Sequence, residues 1–230
     1  MSIRSAIGAI ASAVLLAASS VAVGAPIVVY DSLGPANTFT SGSGFFAADP
    51  GNGANYETAQ MFDPSGSGWI DEVSMAIRVS ADEAVYNPIS HVRASIRADV
   101  NGTPGAVLDE TELDYSTSQP GSMIESIATF EFGADVFINS GQKYWLTIGA
   151  AEINPDYFIV WASTDQALAT SHAFTGALFQ SPGQWFLAGD NVAGAARIQV
   201  QAVNEPNFIA ATLLFAAGLF SRRRVRAVKC

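Results

Sequence analysis

Few residues of this chain have the type and spacing needed for acid–base or metal chemistry. Its two histidines, His91 and His172, lie far apart, and neither has a second ligand at a metal-binding spacing. Neighbouring carboxylates occur in three pairs: Asp71 with Glu72, Asp82 with Glu83, and Asp109 with Glu110. Glycoside hydrolysis needs two carboxylates set across a cleft, whereas neighbours on a strand point to opposite faces of the sheet. We therefore expect a solvated acidic surface, no metal site and no cofactor.

Nucleophilic catalysis also lacks its usual residues. No Gly-x-Ser-x-Gly motif occurs, and the single cysteine, Cys230, lies in the arginine-rich C-terminal tail, which the positive-inside rule would keep in the cytoplasm. We therefore predict that the protein is not an enzyme, and a glycoside hydrolase is the less favoured alternative.

Tryptophan side chains suggest a different chemistry, the stacking of sugars on exposed aromatic rings. Trp145 alternates with Tyr144 and Leu146 and so lies on the opposite face of its predicted strand. If that face is open, Trp145 is a glycan-stacking residue and the protein is a carbohydrate-binding module that acts on exopolysaccharide. If the strand is central in its sheet, Trp145 is a core residue. The core alternative is favoured, because large aromatic side chains dominate protein cores.

Alternation of apolar and polar residues with a period of two predicts that β-strands carry these side chains. The strongest alternation covers residues 73–79, 92–98, 144–148, 157–161 and 196–202, and weaker strands are expected at 27–31, 57–62, 107–114 and 127–132. Turn residues such as Asn101-Gly102 separate the strands, and the Gly- and Ser-rich residues 35–54 predict a long surface loop. The predicted fold class is all-β, an antiparallel, jelly-roll-like β-sandwich.

The charge of the central region argues against nucleic acid as a partner. Residues 25–204 contain 20 acidic and five basic residues, an excess of 15 negative charges. Such a surface repels nucleic acid and anionic lipid headgroups. The region has no cysteine, so its fold must be stable without a disulfide bond.

The N-terminal residues have the three-part layout of a secretory signal peptide. Arg4 supplies the positive charge, residues 6–18 are an apolar stretch, and small residues follow up to Ala25. Cleavage after Gly24 is preferred, because cleavage after Ala25 would place Pro26 next to the scissile bond. An uncleaved N-terminal anchor is the alternative, but the apolar stretch is short for a membrane span. We assign residues 1–24 as the signal peptide.

The C-terminal residues combine a Glu-Pro motif, an apolar stretch and an arginine cluster. Residues 208–220 carry no charge, and as a transmembrane helix they would be about 20 Å long, against a hydrocarbon core of roughly 30 Å. This length favours a temporary anchor over a permanent one. The cluster that follows contains Arg222, Arg223, Arg224 and Arg226. By the positive-inside rule these arginines stay in the cytoplasm, so everything N-terminal to them lies outside.

The segment Val203-Asn204-Glu205-Pro206, the apolar helix and the arginine run together resemble the PEP-CTERM sorting signal of Gram-negative bacteria. The resemblance implies that Glu205 and Pro206 form the sorting motif, with Asn204 where that family more often has proline. It implies two partners, the export machinery and an exosortase, a membrane protease-transpeptidase that processes the protein near the motif. It also implies an exported protein that is held transiently in the inner membrane and then reaches the cell surface or the extracellular matrix, where exopolysaccharide would be a further partner.

The central region resembles the choice-of-anchor domains found upstream of interchangeable surface anchors. The stretches that carry the resemblance are, in order, Ala59-Gln60-Met61-Phe62, Ile70 with Val73, residues 99–105, Lys143-Tyr144-Trp145-Leu146, and Trp161. The resemblance implies a β-sandwich surface domain at residues 25–203, between the signal peptide and a sorting signal at residues 204–230. It implies no particular ligand or activity.

Overall fold

The structure, a computed structural model, describes residues 23–48, 56–81, 89–116, 123–133, 135–151, 157–166, 172–176, 184–188 and 193–203. Residues 26–201 belong to one compact unit, and the described residues on either side, 23–25 and 202–203, belong to a second. Residues 1–22 of the predicted signal peptide lie outside the described residues. So do Glu205, Pro206, the apolar residues 208–220 and the four arginines of the C-terminal cluster. No described segment forms a helix of the length and hydrophobicity needed to cross a membrane.

The described residues form two β-sheets and one short 3-10 turn, Pro35–Asn37. The seven-stranded sheet contains β1 (Val23–Asp31), β2 (Thr40–Ala48), β4 (Gly68–Ala81), β7 (Met123–Glu131), β8 (Phe137–Ile138), β10 (Tyr157–Ser163) and β13 (Ala196–Val203). The six-stranded sheet contains β3 (Tyr56–Phe62), β5 (Ile89–Val100), β6 (Thr103–Ser116), β9 (Tyr144–Ala150), β11 (His172–Gly176) and β12 (Phe186–Ala188). The strand pairings are antiparallel, so the predicted all-β class with antiparallel sheets is confirmed.

Strand β4 organises the seven-stranded sheet, because four other strands are hydrogen-bonded to it. On one side it pairs with β7 over residues 72–80 and with β8 at Gly68 and Trp69. On the other side β10 pairs with residues 77–81, while the N-H group of Ala76 donates to the carbonyl of Ala195, just before β13. In the six-stranded sheet the order is β12-β11-β3-β9-β5-β6, which makes β9 a central strand.

The hydrophobic core lies between the two sheets. One buried cluster contains alternate residues of strands from both sheets, among them Val73, Met75, Ile77, Ile96, Leu146 and Ile148. Burial of each such side chain contributes about 1.5–3 kcal/mol. The nine strands predicted from period-two alternation each overlap an observed strand, because that alternation separates this core face from the outer face.

A buried polar contact connects the two sheets at one side of this core. Gln60 of β3 is 1% exposed, and its amide nitrogen donates to the hydroxyl of Tyr30 in β1. Its amide oxygen accepts from the N-H group of Gly194, at 2.5 Å. Burial raises the pKa of Tyr30, so the phenol remains protonated at neutral pH.

The predicted loop at residues 35–54 is wrong in part, because residues 40–48 form strand β2. This strand is rich in glycine and serine and depends on its pairing with β10, a partner distant in sequence. Gly44 pairs with Ala162 and Thr40 pairs with Ser163, so the three residues 41–43 have no pairing partner in β10. They form a bulge, in which Gly42 has a φ of 75°. Sequence patterning also missed the short strands β8, β11 and β12, since two to five residues carry too little periodicity.

Candidate functional site

Trp145, the candidate glycan-stacking residue, is fully buried at 0% exposure. It packs against Ala59 and Ala173, and its indole N-H donates to Oδ1 of Asp99 at 2.7 Å. Both faces of β9 are covered, since all seven of its residues are buried. The ring therefore has no face open to a sugar, and the core alternative describes its position.

The other tryptophans differ in exposure. Trp161 is also fully buried, with its indole N-H donating to the carbonyl of Ala195 at 3.1 Å. Trp185 is partly buried under the guanidinium carbon of Arg97, which lies 5.3 Å from the ring centroid. Trp69 is 40% exposed, which makes it the most accessible of the four indoles.

Trp69 forms an exposed aromatic pair on the outer face of the seven-stranded sheet. It lies opposite Phe137 in the pairing of β4 with β8, and the ring centroids are 5.3 Å apart at an interplanar angle of 74°. The next residue, Ile70, is fully buried in the core, so strand alternation directs Trp69 outward. Phe137 is 36% exposed, and the pair presents an open apolar surface.

Two carboxylate–amide pairs lie on the same face, between β4 and β13. The amide nitrogen of Gln201 donates to Oδ2 of Asp71 at 2.8 Å, and that of Gln199 donates to Oε1 of Glu72 at 3.0 Å. Ser74 adds a hydrogen bond to the same oxygen of Glu72, at 2.9 Å. We define the Trp69 platform as the following residues: Trp69, Phe137, Asp71, Glu72, Gln199 and Gln201.

The placement of Asp71 and Glu72 differs from the sequence expectation that adjacent carboxylates point to opposite faces. Both bond glutamines of β13 whose neighbour, Val200, is fully buried in the core. Ile70 and Val73 are consecutive core-facing residues of β4, and they are separated by two residues instead of the usual one. This shift in alternation places both carboxylates on the outer face, side by side and not across a cleft.

The platform can stack a sugar ring and hydrogen-bond its hydroxyl groups. Aromatic rings provide a flat apolar surface, while carboxylate oxygens accept hydrogen bonds and amide groups both donate and accept. The neighbouring carboxylates disfavour ligands that carry negative charge. From the sequence, Trp145 was the candidate stacking residue and Asp71 and Glu72 were expected on a solvated acidic surface, so the Trp69 platform was missed.

A second polar cluster, on the outer face of the six-stranded sheet, has its charges paired internally. The guanidinium of Arg97 bonds both carboxylate oxygens of Glu57, at 2.8 and 3.0 Å, and the two side chains are only 17% and 15% exposed. The hydroxyl of Thr147 also donates to Glu57, at 2.8 Å. Three hydrogen bonds thus occupy this carboxylate, and the guanidinium of Arg97 also lies over Trp185, so the cluster presents no free charged group.

Among the described residues, no group of three or more His, Cys, Asp or Glu side chains is placed to hold a metal ion. His91 bonds Asp114 on the neighbouring strand, with 2.7 Å between Nδ1 and Oδ1. His172 begins strand β11, and the Asp82–Glu83 pair lies outside the described residues.

Comparison with known proteins leaves the function to be argued from the molecule itself. Neither a protein-family model nor a curated protein matches this chain.

Proposed function

We propose that this chain is an exported, non-enzymatic protein of the cell surface or extracellular matrix of a Gram-negative bacterium. In this proposal residues 1–24 direct export, and residues 204–230 hold the protein in the inner membrane until an exosortase processes it near Glu205-Pro206. The exported part is a jelly-roll-like β-sandwich, with the core enclosed between its two sheets. The proposal rests first on the two terminal segments, whose orientations agree.

The pairing of β1 with β13 supports this arrangement. The two strands are hydrogen-bonded neighbours in the seven-stranded sheet. Gly24 lies so close to Ala202 that a Cβ added to Gly24 would be 2.7 Å from the carbonyl oxygen of Ala202. The preferred cleavage position therefore lies beside Ala202, which is two residues before the start of the sorting signal at residue 204. Cleavage after Gly24 would remove only the first two residues of β1, so the rest of the strand can stay in the sheet while the domain remains attached through its C-terminal segment.

Processing is tested by the mass of the mature C-terminus. The chain is expressed in a bacterium that has an exosortase and in a matched strain that lacks it. We expect the arginine tail to be absent from the protein of the first strain and present in that of the second, because only the first strain can process near Glu205. Pro206→Ala should retain the tail in both strains. An intact tail on the wild-type protein in both strains would overturn sorting by this route.

The Trp69 platform supports a second candidate function, carbohydrate binding. An open aromatic pair beside two carboxylate–amide pairs matches the apolar face and the hydroxyl groups of a sugar. We infer that the ligand is a neutral region of exopolysaccharide, because Asp71 and Glu72 border the rings and the domain carries excess negative charge. Trp145 has no part in this function.

Trp69→Ala is expected to weaken glycan binding at least tenfold, since truncation removes about 1.5–3 kcal/mol of buried apolar contact and 1.4 kcal/mol corresponds to a factor of ten. The measurement is a glycan array with neutral and uronate-containing polysaccharides, followed by calorimetry on the neutral hits. Leu187→Ala is the matched control, because Leu187 is 59% exposed on the other sheet. Unchanged binding by Trp69→Ala, or no binding by the wild type, would exclude this function.

A further inference from the structure

A second open region lies on the outer face of the seven-stranded sheet, where β2, β10 and β4 are adjacent. Val160 of β10 is paired with Phe46 on one side and with Arg78 on the other, so the three residues form one row across the sheet. Adjacent strands are roughly 4.8 Å apart, which separates Phe46 from Arg78 by about 10 Å. The small side chain of Val160 between two large ones leaves a notch.

The notch has the size of a small-molecule site. Its volume is about 330 Å³, and Phe158 and Ser80 complete its lining together with the three residues of the row. Small-molecule pockets start at roughly 300 Å³. Phe46 is 55% exposed and forms a wall, while Val160 is 4% exposed and forms the floor. We call this region the Arg78 notch.

Arg78 makes no ion pair or hydrogen bond with the described residues, although Glu125 of β7 is its direct cross-strand neighbour. Glu125 bonds the bulge of β2 instead: the hydroxyl of Ser41 donates to Oε2 at 2.5 Å, and the N-H group of Gly42 donates to Oε1 at 3.3 Å. The bulge therefore holds the carboxylate that would otherwise neutralise Arg78. Arg78 thus lines the notch without an ion pair among the described residues, and Phe46 and Phe158 line the same notch.

We propose that the Arg78 notch binds a small aromatic carboxylate. The ring of the ligand lies over Val160 between the phenyl groups of Phe46 and Phe158, and its carboxylate accepts two hydrogen bonds from the guanidinium of Arg78. Guanidinium groups match carboxylates in this bidentate geometry. A polyanion is disfavoured by the excess negative charge of the domain. A single carboxylate interacts mainly with the charges near Arg78, because charges more than roughly 8–10 Å away are screened. This site is separate from the Trp69 platform and independent of the sorting proposal.

The test is calorimetric titration of the purified full-length chain with naphthalene-2-carboxylate, and with its neutral amide as the matched probe. We expect the carboxylate to bind at least tenfold more tightly than the amide. Arg78→Gln should remove that preference, and Val160→Phe should abolish binding by filling the notch. Glu125→Gln should strengthen binding several-fold, since it removes the competing charge. Arg93→Gln, which makes the same charge change on the other sheet, should leave binding unchanged.

Equal affinity for the carboxylate and the amide would overturn the proposal, as would carboxylate binding that survives Val160→Phe. Absence of binding by the wild type would also overturn it. Trp69→Ala should bind the naphthoate normally, so loss of glycan binding and loss of carboxylate binding are separate results. Circular dichroism of each variant confirms that loss of binding is not loss of folding.

Discussion

Replacing Trp145 with alanine is expected to lower the free energy of unfolding by about 3–5 kcal/mol. The ring is 0% exposed and packs against Ala59 of β3 and Ala173 of β11 on the outer side of β9. Its removal leaves a cavity beside Ala59 and Ala173, and it also removes the indole N-H that donates to Asp99 at 2.7 Å. Cavity formation and the loss of one hydrogen bond to Asp99 destabilise in the same direction.

Urea unfolding of the full-length chain measures this effect as a fall in the midpoint concentration at constant m-value. Trp69→Ala is the matched control: the same substitution at an indole that is 40% exposed should cost no more than about 1.5 kcal/mol. A Trp145→Ala variant as stable as the control would contradict the burial of Trp145. A glycan-binding experiment that relied on Trp145→Ala would report unfolding instead of a lost contact.

Gly194→Ala is the second substitution with a large expected effect, about 3 kcal/mol or more of lost stability. A Cβ on Gly194 would be 2.6 Å from Cδ2 and 2.7 Å from Nε1 of Trp161, far inside van der Waals contact. Neither side can move freely. Trp161 is fully buried and bonded to Ala195, while Gly194 donates to Gln60 and accepts from the hydroxyl of Ser32 at 2.7 Å. Overpacking costs about 1–3 kcal/mol, and the disturbed hydrogen bonds add to it.

Thermal or urea unfolding, followed by tryptophan fluorescence, measures the effect of Gly194→Ala. Gly66→Ala is the matched control, because a Cβ there would be 3.2 Å from the flexible end of Ile27, which can shift by a few tenths of an ångström. The control should change stability by less than about 1 kcal/mol. If the Gly194→Ala and Gly66→Ala variants have the same unfolding midpoint, Gly194 does not lie as close to Trp161 as the structure places it.

Local patterning predicted most of the strands, because side-chain alternation is a property of consecutive residues. Residues 73–79 and 92–98 alternate strongly, and they lie within β4 and β5. The turn at Asn101-Gly102 was also predictable: both residues have positive φ, at 55° and 80°, which asparagine and glycine tolerate best. Strand β2 was not predictable, because its glycines and serines become a strand only through pairing with β10.

The candidate sites could be located only from the tertiary structure. Alternation showed that Trp145 and Tyr144 point to opposite faces, but not that both faces of β9 are covered. Trp69 remains exposed because the strand beside it, β8, has only two residues and contributes Phe137 to the same face. The proximity of Asp71 to Gln201 joins residues 130 positions apart, which no local pattern reports.

The all-β class, the positions of the main strands and the excess of negative charge could be read from composition and side-chain alternation, because both are local properties. The sequence also carries the terminal segments on which the sorting proposal rests. Which aromatic side chains are open to a ligand and which charges are paired became known from tertiary contacts. Exposure and pairing depend on the elements that lie across a sheet face, and those are set by contacts between distant parts of the chain. For this reason Trp145 lies in a core, the alternative that the sequence favoured, while the outward positions of Trp69 and Arg78 were not predicted.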